Sequence, residues 1–171
     1  MDTNDLRIVN TANRGKGAIA RRHLAAGSFI ARFDGEIFYW DWPSLPLPDD
    51  IFYHAIPFAD NYVRDTKGPA RYLNHSCEPN CGIRDLFDIV TIREIEIGEE
   101  LVWDYDTAQD DGVWTMDCDC GAAQCRKQIR GYRFLKPEVK ARYRAITSGW
   151  LLAKMARVNV APVPVSFHSF K

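Results

Sequence analysis

The stretch that decides the fold is Arg71-Tyr-Leu-Asn-His-Ser-Cys77-Glu-Pro-Asn-Cys81. Within four positions it places an amide, an imidazole and a thiol, on Asn74, His75 and Cys77. The first two groups donate and accept hydrogen bonds, and the thiol is a soft metal ligand. The alternative is a polar loop whose side chains satisfy one another. The downstream cysteines and the segment Glu100-Leu-Val-Trp-Asp-Tyr105 favour a functional site instead.

The composition is that of a folded domain. Of the 171 residues, 46% are hydrophobic and 26% are charged, which predicts one domain with a real core. No apolar run approaches the roughly 18 residues of a membrane span, and the acidic start Met1–Asp5 is unlike a secretory signal. We therefore expect a soluble intracellular protein without a membrane partner, cytoplasmic in a bacterium, and nuclear in a eukaryote or as an exported effector. In a reducing compartment, the five cysteines indicate thiolates or metal ligands rather than disulfides.

Charged residues are distributed unevenly, although the formal net charge is only −1. Between Arg126 and Arg157, ten basic residues stand against a single acid, Glu138. A segment without Lys or Arg carries Asp104, Asp106, Asp110, Asp111, Asp117 and Asp119. The acidic segment predicts attraction of a cationic peptide, and the basic one predicts attraction of phosphates or an acidic partner. Solvated faces are the alternative for both.

Many short apolar runs separated by close turns predict a mainly β fold without a βαβ rhythm. Three prolines between Trp40 and Pro48 predict a surface loop, in which Trp40 and Trp42 would cover part of a groove. Residues 106–117 are expected to form a polar loop. The expected strands are 6–9, 18–22, 29–33, 51–58, 61–64, 81–86, 88–95 and 101–105. Helices over 138–146 and 150–158 would cover the domain, and 161–165 would be extended.

Three thiols, on Cys118, Cys120 and Cys125, lie within eight positions. Such spacing is typical of a zinc site, because one tight loop then supplies three of the four tetrahedral ligands. Either Cys77 or Cys81 would supply the fourth. An all-cysteine site leaves no open coordination position, so this zinc would be structural. The alternative is a loop of free thiols.

Five motifs occur in order along the chain. They are Gly15-Lys-Gly17, Phe33-x-Gly35-Glu36, Arg71-Tyr-Leu-Asn-His-Ser-Cys77-x-Pro-Asn80, Glu100-Leu-x-x-Asp-Tyr105 and Cys118-x-Cys120-x4-Cys125. The ordered set, over about residues 6–126, resembles a SET-domain protein lysine methyltransferase with a post-SET zinc motif. The family's pre-SET zinc cluster is absent and the usual insert is short, as in compact bacterial or viral members. The implied division is a SET domain over 1–116, a post-SET zinc segment over 117–133, and a C-terminal helical extension and tail over 134–171.

The resemblance implies a β-clip SET fold, in which small curved sheets surround a pseudoknot formed by the Asn-His-Ser segment. It implies S-adenosylmethionine as the methyl donor and Tyr105 as the catalytic residue. The residues that would hold the donor are Lys16, Gly17, Tyr62, Arg71, Asn74, His75 and, over the adenine, Tyr132. The implied zinc ligands are Cys77, Cys118, Cys120 and Cys125, which leaves Cys81 as a spare thiol.

The chemistry implied by this family is an in-line displacement on a sulfonium by a neutral amine. A free lysine has a pKa near 10.4, so only about 0.1% is neutral at about pH 7.4. Desolvation and the positive sulfonium lower that pKa, and Tyr105 would align nitrogen, methyl and sulfur. Aromatic walls from Phe33, Tyr53 and Trp103 would sheathe the lysine stem, core packing being the alternative role for these rings. Tryptophan at position 103, where the family usually has phenylalanine or tyrosine, favours mono- or dimethylation.

The expected function is therefore S-adenosylmethionine-dependent methylation of a lysine in a protein substrate, such as a histone tail or another basic protein. The alternative is a catalytically silent SET-like zinc module that binds a protein tail or nucleic acid. The basic C-terminal segment is where a nucleic-acid contact would form, and such binding would depend steeply on salt.

Overall fold

The described residues form twelve short strands in four small sheets, with helices gathered towards the C-terminal end. The structure is a computed structural model that describes residues 3–12, 14–41, 43–110 and 112–158. Trp42 and the expected extended segment 161–165 lie outside the described residues. In chain order the strands are β1 (Leu6–Asn10), β2 (Lys16–Ala20), β3 (Phe29–Arg32), β4 (Ile37–Tyr39), β5 (Ile56–Ala59), β6 (Tyr62–Arg64), β7 (Asn74–His75), β8 (Cys81–Arg84), β9 (Asp88–Thr91), β10 (Glu100–Trp103), β11 (Met116–Asp117) and β12 (Gln128–Ile129).

Three α-helices and four 3-10 turns accompany the strands in the described ranges. The helices are α1 (Asp49–Phe52), α2 (Pro137–Tyr143) and α3 (Gly149–Val158). The 3-10 turns are Pro69–Tyr72, Tyr105–Thr107, Tyr132–Phe134 and Arg144–Ile146. The ten-residue α3 is the longest of these helices, and none in the described part is long and apolar enough to cross a membrane.

One sheet brings three of the sequence motifs together. Its order is β1-β2-β10-β7, with β10 antiparallel to β2 and parallel to β7. The parallel register places Val102 opposite Asn74 and Trp103 opposite His75. Strand β2 is rich in small residues, so β10 and the side chains around it pack closely. Residues that are far apart in the sequence thus meet at one edge of this sheet.

The other sheets surround that edge. Strands β3, β9 and β8 form one antiparallel sheet, β4, β6 and β5 form a second, and β11 pairs with β12. The main apolar cluster lies among the sheets and includes Leu24, Ile89 and Leu101, none of which is exposed. A second cluster joins Trp114 and Ile129 to the cysteines, and a third joins α3 to the turn at Tyr132–Phe134. The mainly β architecture predicted from the sequence is confirmed.

Three local expectations differ from the structure. The expected strand over 51–58 is divided, because Pro48 followed by two aspartates starts helix α1 and only β5 remains extended. Residues 106–117 are not a simple polar loop, since they begin in a 3-10 turn and end in β11. Trp40 is buried and packs edge to face against Phe52, with ring centroids 5.9 Å apart.

Candidate active site

Tyr105 stands at the end of β10, where the chain turns into a 3-10 turn. Its hydroxyl donates a hydrogen bond to the carbonyl oxygen of Leu73 at 3.0 Å. Burial raises the pKa of Tyr105 above its ordinary value, so the phenol stays protonated near neutral pH. Because the proton is committed to Leu73, the phenolic oxygen keeps lone pairs for a hydrogen bond from a substrate group.

His75 connects Tyr105 to the cysteines. Burial, with the nearby positive charges of Arg126 and Arg14, lowers the pKa of His75 to about 3, so the imidazole is neutral at pH 7. Its Nδ1 accepts a hydrogen bond from the Tyr105 backbone N–H at 3.2 Å. The ring proton must therefore be on Nε2, which lies 3.4 Å from Cys77 Sγ and donates towards it.

Aromatic side chains line the pocket in front of Tyr105. Phe33 and Trp103 pack edge to face at 5.7 Å, and the Trp103 ring lies 4.9 Å from that of Tyr105. Tyr53 lies at the rim of the pocket with 63% of its surface exposed. The ring centroid of Trp114 lies 6.1 Å from that of Tyr105. The cavity has a volume of about 60 Å³. A narrow apolar cavity with ring faces for walls suits a slender alkyl chain that carries a cation.

Asn74 belongs to a polar group at the edge of β2. Its side-chain amide donates to the Lys16 carbonyl oxygen at 3.1 Å and to Glu100 Oε1 at 2.9 Å. The Arg14 guanidinium binds Glu100 Oε2 at 2.6 Å and donates to the His75 carbonyl oxygen at 3.2 Å. A Cβ at Gly17 would lie 2.7 Å from Glu100 Oε1 and 2.9 Å from Asn74 Nδ2. Glycine at this position therefore lets the side chains close over the backbone of β2.

The structure brings together most of the residues that the sequence singled out, but it places two of them elsewhere. Arg71 lines the pocket and donates to the Thr66 carbonyl oxygen. Tyr62 lies on β6 against Tyr39 and Phe58 and lines a different cavity. Tyr132 is buried in the third apolar cluster, with the Lys140 ammonium over its ring at 5.2 Å. The structure therefore places Tyr132 in this cluster, and its position over an adenine stays a prediction.

Sequence reasoning missed Arg14, Glu100 and Trp114 as site residues. Glu100 lay within a quoted motif, and Arg14 directly precedes another, Gly15-Lys-Gly17. Trp114 reaches the pocket from the segment 106–117. A lone tryptophan in such a polar segment was the available signal that part of it is buried.

Four thiols gather beside His75. The Cys118 sulfur lies 3.8 Å from that of Cys77 and 3.7 Å from that of Cys125. The Cys77 backbone N–H donates to Cys120 Sγ at 3.5 Å. Burial raises the pKa of Cys77 above its usual range and that of Cys118 to about 11. Burial also acts against the Cys120 thiolate, but hydrogen bonds from the backbone N–H groups of Cys77 and Ala122 lower its pKa to about 7.

The donor atoms here fit a tetrahedral zinc site. Ligand atoms of His75, Cys77, Cys118 and Cys120 all lie within 4.8 Å of one another. A histidine that ligates through Nε2 carries its proton on Nδ1, yet Nδ1 of His75 already faces the Tyr105 N–H donor. The sulfurs of Cys77, Cys118, Cys120 and Cys125 are therefore the better set of zinc ligands. His75 then donates a hydrogen bond to the Cys77 sulfur, as residues around a metal site commonly do. Cys81 is separate, fully buried in the main core, where burial raises its pKa to about 12.

The acidic segment is turned inwards. Arg126 donates to Asp104 Oδ1 at 2.6 Å and to Asp106 Oδ2 at 2.9 Å, and Arg133 and Lys154 pair with Asp110. Burial raises the pKa of Asp104 to about 6, although Arg126 opposes the shift. These three buried carboxylates form neither a docking surface for a cationic peptide nor a solvated face. Three of the six aspartates are thus paired inside the fold with three of the ten basic residues.

The comparisons with known proteins agree with this geometry. The model of the family described as SET domain matches residues 15–106, more than half of the chain. The chain belongs to the SET-domain family. The match contains the pocket aromatics Phe33 and Trp103, and Asn74, His75 and Tyr105. It ends before the segment that carries the three clustered cysteines.

Relatives of this SET domain include much larger proteins. Human histone-lysine N-methyltransferase 2D is 45% identical over 69 residues, which cover 36% of this chain and 1% of that protein. Histone-lysine N-methyltransferase ASHH3 of Arabidopsis thaliana is 30% identical over 149 residues, covering 78% of this chain and 40% of the relative. The chain thus spans only part of the relatives that it matches.

Solved structures share the fold. The crystal structure of KRYPTONITE in complex with mCHH DNA, an H3(1-15) peptide and SAH matches with a TM-score of 0.57 and 23% identity. That match covers 72% of this chain and 29% of the other. The structure of Arabidopsis thaliana SUVH6 in complex with SAM gives a TM-score of 0.60 and 22% identity, over 72% and 32% of the two chains.

Proposed function

We propose that this chain transfers a methyl group from S-adenosylmethionine to the side-chain amine of a lysine in a protein substrate. The observation that carries the proposal is the Tyr105 phenol, which faces an aromatic-walled pocket with its proton committed to Leu73. Relatives of the chain are named histone-lysine N-methyltransferases, and related structures contain SAM, SAH or a histone H3 peptide. A histone tail or another basic protein is the corresponding substrate class, and a histone substrate would place the protein on chromatin.

Tyr105 orients the substrate amine. Since its own hydrogen is donated to Leu73, the phenolic oxygen accepts an N–H from the amine, and the nitrogen lone pair is then directed away from the phenol. Alignment of this kind lowers the barrier by several kcal/mol. The rings of Phe33 and Trp103 exclude water from the lysine stem and favour its neutral form.

The methyl donor fits the polar group at the edge of β2. Bound S-adenosylmethionine supplies an electrophilic methyl on a positively charged sulfur. The Lys16 backbone, Gly17, Asn74 and His75 lie together there and would hold it, and Arg71 would approach from the pocket. A neutral amine, its proton already released to solvent, would take up that methyl together with the positive charge, so the transfer would consume no protein base.

Zinc has a structural role in the proposal. Cys77, Cys118, Cys120 and Cys125 would hold it as thiolates, which leaves no coordination position for a substrate. The ion would tie the sequence next to His75 to the loop that precedes β12. In the corresponding division of the chain, residues 1–116 form the SET domain, 117–133 the zinc segment, and 134–171 the helical extension with its tail.

The test uses the full chain, purified with zinc, and tritiated S-adenosylmethionine. Core histones and a panel of basic proteins serve as substrates, and mass spectrometry identifies labelled lysines. We expect labelled lysine with the wild type and a loss of about 100-fold or more with Tyr105→Phe. Tyr39→Phe removes a hydroxyl from the face of β4 and should retain the wild-type rate. A chain that transfers no label and binds no S-adenosylmethionine in calorimetry would instead be a silent module.

A further inference from the structure

Seven of the ten basic C-terminal residues form two groups in the structure. The first group, Arg126, Arg133 and Lys154, forms ion pairs with the buried aspartates. Arg130, Lys136, Arg142 and Arg144 are exposed and form no ion pair with any carboxylate of the described residues. The second group is therefore available to a partner outside the chain.

These exposed cations share a continuous surface. We call residues 118–125, between β11 and β12, the cysteine loop. Arg130, Lys136 and Arg142 line a cavity of about 550 Å³ between this loop and α2. Arg142 also lines an adjoining cavity of about 560 Å³ on the other side of α2, together with Arg84 and Arg144. We call this surface the basic track and define it as Arg84, Arg130, Lys136, Arg142 and Arg144.

Little negative charge opposes the basic track. Glu138 and Asp85 are the exposed acids that line the two cavities, and Arg84 also contacts Asp88 at 3.4 Å. Asp106 borders the first cavity, but its carboxylate is occupied by Arg126 and the backbone N–H groups of Arg130 and Gly131. The protein carries a net charge of only −1, so its overall charge would not attract a polyanion and a local concentration of cations is needed.

The chemistry of the basic track selects among anions. A single phosphate or carboxylate needs one pocket, whereas cations that continue through two cavities match a chain of phosphates. Guanidinium groups, which dominate the track, bind phosphate oxygens through two parallel hydrogen bonds. The Arg130 guanidinium lies 4.1 Å from the centroid of the exposed Phe134 ring and covers a face on which a base would otherwise stack. Such a surface suits a duplex, whose bases are inside and whose phosphates face outward.

We propose that the basic track binds the phosphate backbone of double-stranded DNA without reading its sequence. This contact is independent of the methyl-transfer pocket, since the track shares no residue with the aromatic walls or with the donor-binding group. A DNA contact of this kind would hold the protein near a DNA-associated substrate while the pocket is free to act. The partner is a duplex rather than an acidic peptide, because the evenly spaced phosphates of a duplex match cations that continue through two adjoining cavities.

The experiment measures fluorescence anisotropy of a short labelled duplex of random sequence with the full chain at several salt concentrations. The test variant is Arg130→Gln/Lys136→Gln/Arg142→Gln. The control, Arg7→Gln/Arg21→Gln/Arg22→Gln, removes the same charge from exposed positions on β1 and in the turn that follows β2, away from the track. We expect the test variant to lose about tenfold or more in affinity, with the slope of log K against log salt reduced by about 2 to 3. The affinity of the control variant for the duplex should stay within about threefold of that of the wild type.

Other outcomes overturn the proposal. Equal losses in both triple variants would mean diffuse attraction rather than a site. Equal or tighter binding of a single strand of the same length, or equally effective competition by polyglutamate, would assign the track to another partner. Arg130→Lys/Arg142→Lys keeps the charge but not the paired hydrogen bonds, so it should bind more tightly than Arg130→Gln/Arg142→Gln and less tightly than the wild type, which separates the contact from a folding defect. Methylation of a short peptide by the test variant should remain at the wild-type rate, so failure here is distinguishable from failure of the proposed enzyme activity.

Discussion

The aromatic pocket in front of Tyr105 and the cluster of four thiols beside His75 are neighbours that are held in place by different forces. The pocket is lined by Phe33 after β3, Trp103 at the end of β10 and Tyr105 beyond it, and these three rings pack in or against the main apolar core. The cysteine cluster is carried by loops and by two-residue strands, β11 and β12, with a much smaller apolar cluster around it. Burial of apolar surface is enough to position the first region, whereas the second needs ligands and ion pairs.

Arg126 is the residue that joins the two regions. Its backbone N–H donates to Cys77 Sγ at 3.3 Å, while its guanidinium holds the carboxylates of Asp104 and Asp106. Asp104 directly precedes Tyr105, and its Oδ1 lies 3.7 Å from His75 Nδ1. A disturbance of the cysteine loop therefore reaches the pocket through charged contacts, although the pocket's apolar walls stay in place.

The largest effect should come from removing the metal. Cys118→Ser takes away the thiol that lies nearest to two others, so we expect zinc content to fall to near zero and the free energy of unfolding to fall by about 5 kcal/mol or more. Metal analysis and denaturant unfolding measure both quantities. Cys81→Ala is the matched control, because that thiol lies in the main core and should leave zinc bound. Full zinc content in Cys118→Ser would contradict the four-thiol assignment.

An intermediate effect is expected when the link between the regions is cut. Arg126→Gln leaves buried carboxylates without a counter-charge and should lower the free energy of unfolding by about 3 kcal/mol at pH 8. Arg126→Lys should recover part of this loss. Arg133→Gln breaks a pair remote from Tyr105, so it should lower stability without lowering the methyl-transfer rate.

The decrease in the free energy of unfolding caused by Arg126→Gln should depend on pH. The native pKa of Asp104, about 6, exceeds the ordinary 3.8, so the folded state binds this proton more tightly and stability falls as pH rises between those values. Without Arg126 that pKa rises further, and the fall continues above pH 6. The difference between variant and wild type should therefore be small near pH 5 and largest near pH 8. A difference that shrinks with rising pH would show that Asp104 is not the titrating group.

The smallest effect on stability should come from a change within the pocket. Trp103→Phe replaces a buried indole, which packs on Phe33 and Tyr105, by a smaller ring. We expect the free energy of unfolding to fall by about 1–2 kcal/mol. The vacated space should admit more methyl groups, so the product should shift from mono- and dimethyllysine towards trimethyllysine in mass spectra. Trp40→Phe, a buried tryptophan outside the pocket, should leave the product unchanged. An unchanged product in Trp103→Phe would remove this residue from control of methyl number.

Much of the candidate site could be predicted because its residues occur in short motifs. Asn74, His75 and Cys77 lie close together in any extended chain, and one parallel register then brings them to Trp103 and Tyr105. Phe33 was predicted as a wall of the same pocket, and the structure places it there. Short-range spacing thus carried most of the information about the chemistry.

The rest depends on burial, which charge counting does not reveal. Asp104 and Arg126 are 22 positions apart, and nothing local shows that they share a buried ion pair. The same holds for Asp110 with Arg133, so the acidic and basic segments looked like separate surfaces. Tyr132 was expected over the adenine, and its burial against Leu135 and Leu151 was equally invisible in the local sequence. Each of these outcomes was decided by tertiary contacts.

The close approach at Gly17 also restricts how this protein can evolve. A single methyl group there would collide with the side chains of Glu100, Asn74 and Thr11. Glu100 and Asn74 could turn aside, but they would then give up their hydrogen bonds to Arg14 and to the Lys16 carbonyl oxygen. A substitution at position 17 therefore acts on the whole polar group. Descendants of this chain should therefore retain the glycine and its polar neighbours as one inherited unit, even while the cysteine loop and the basic track diverge.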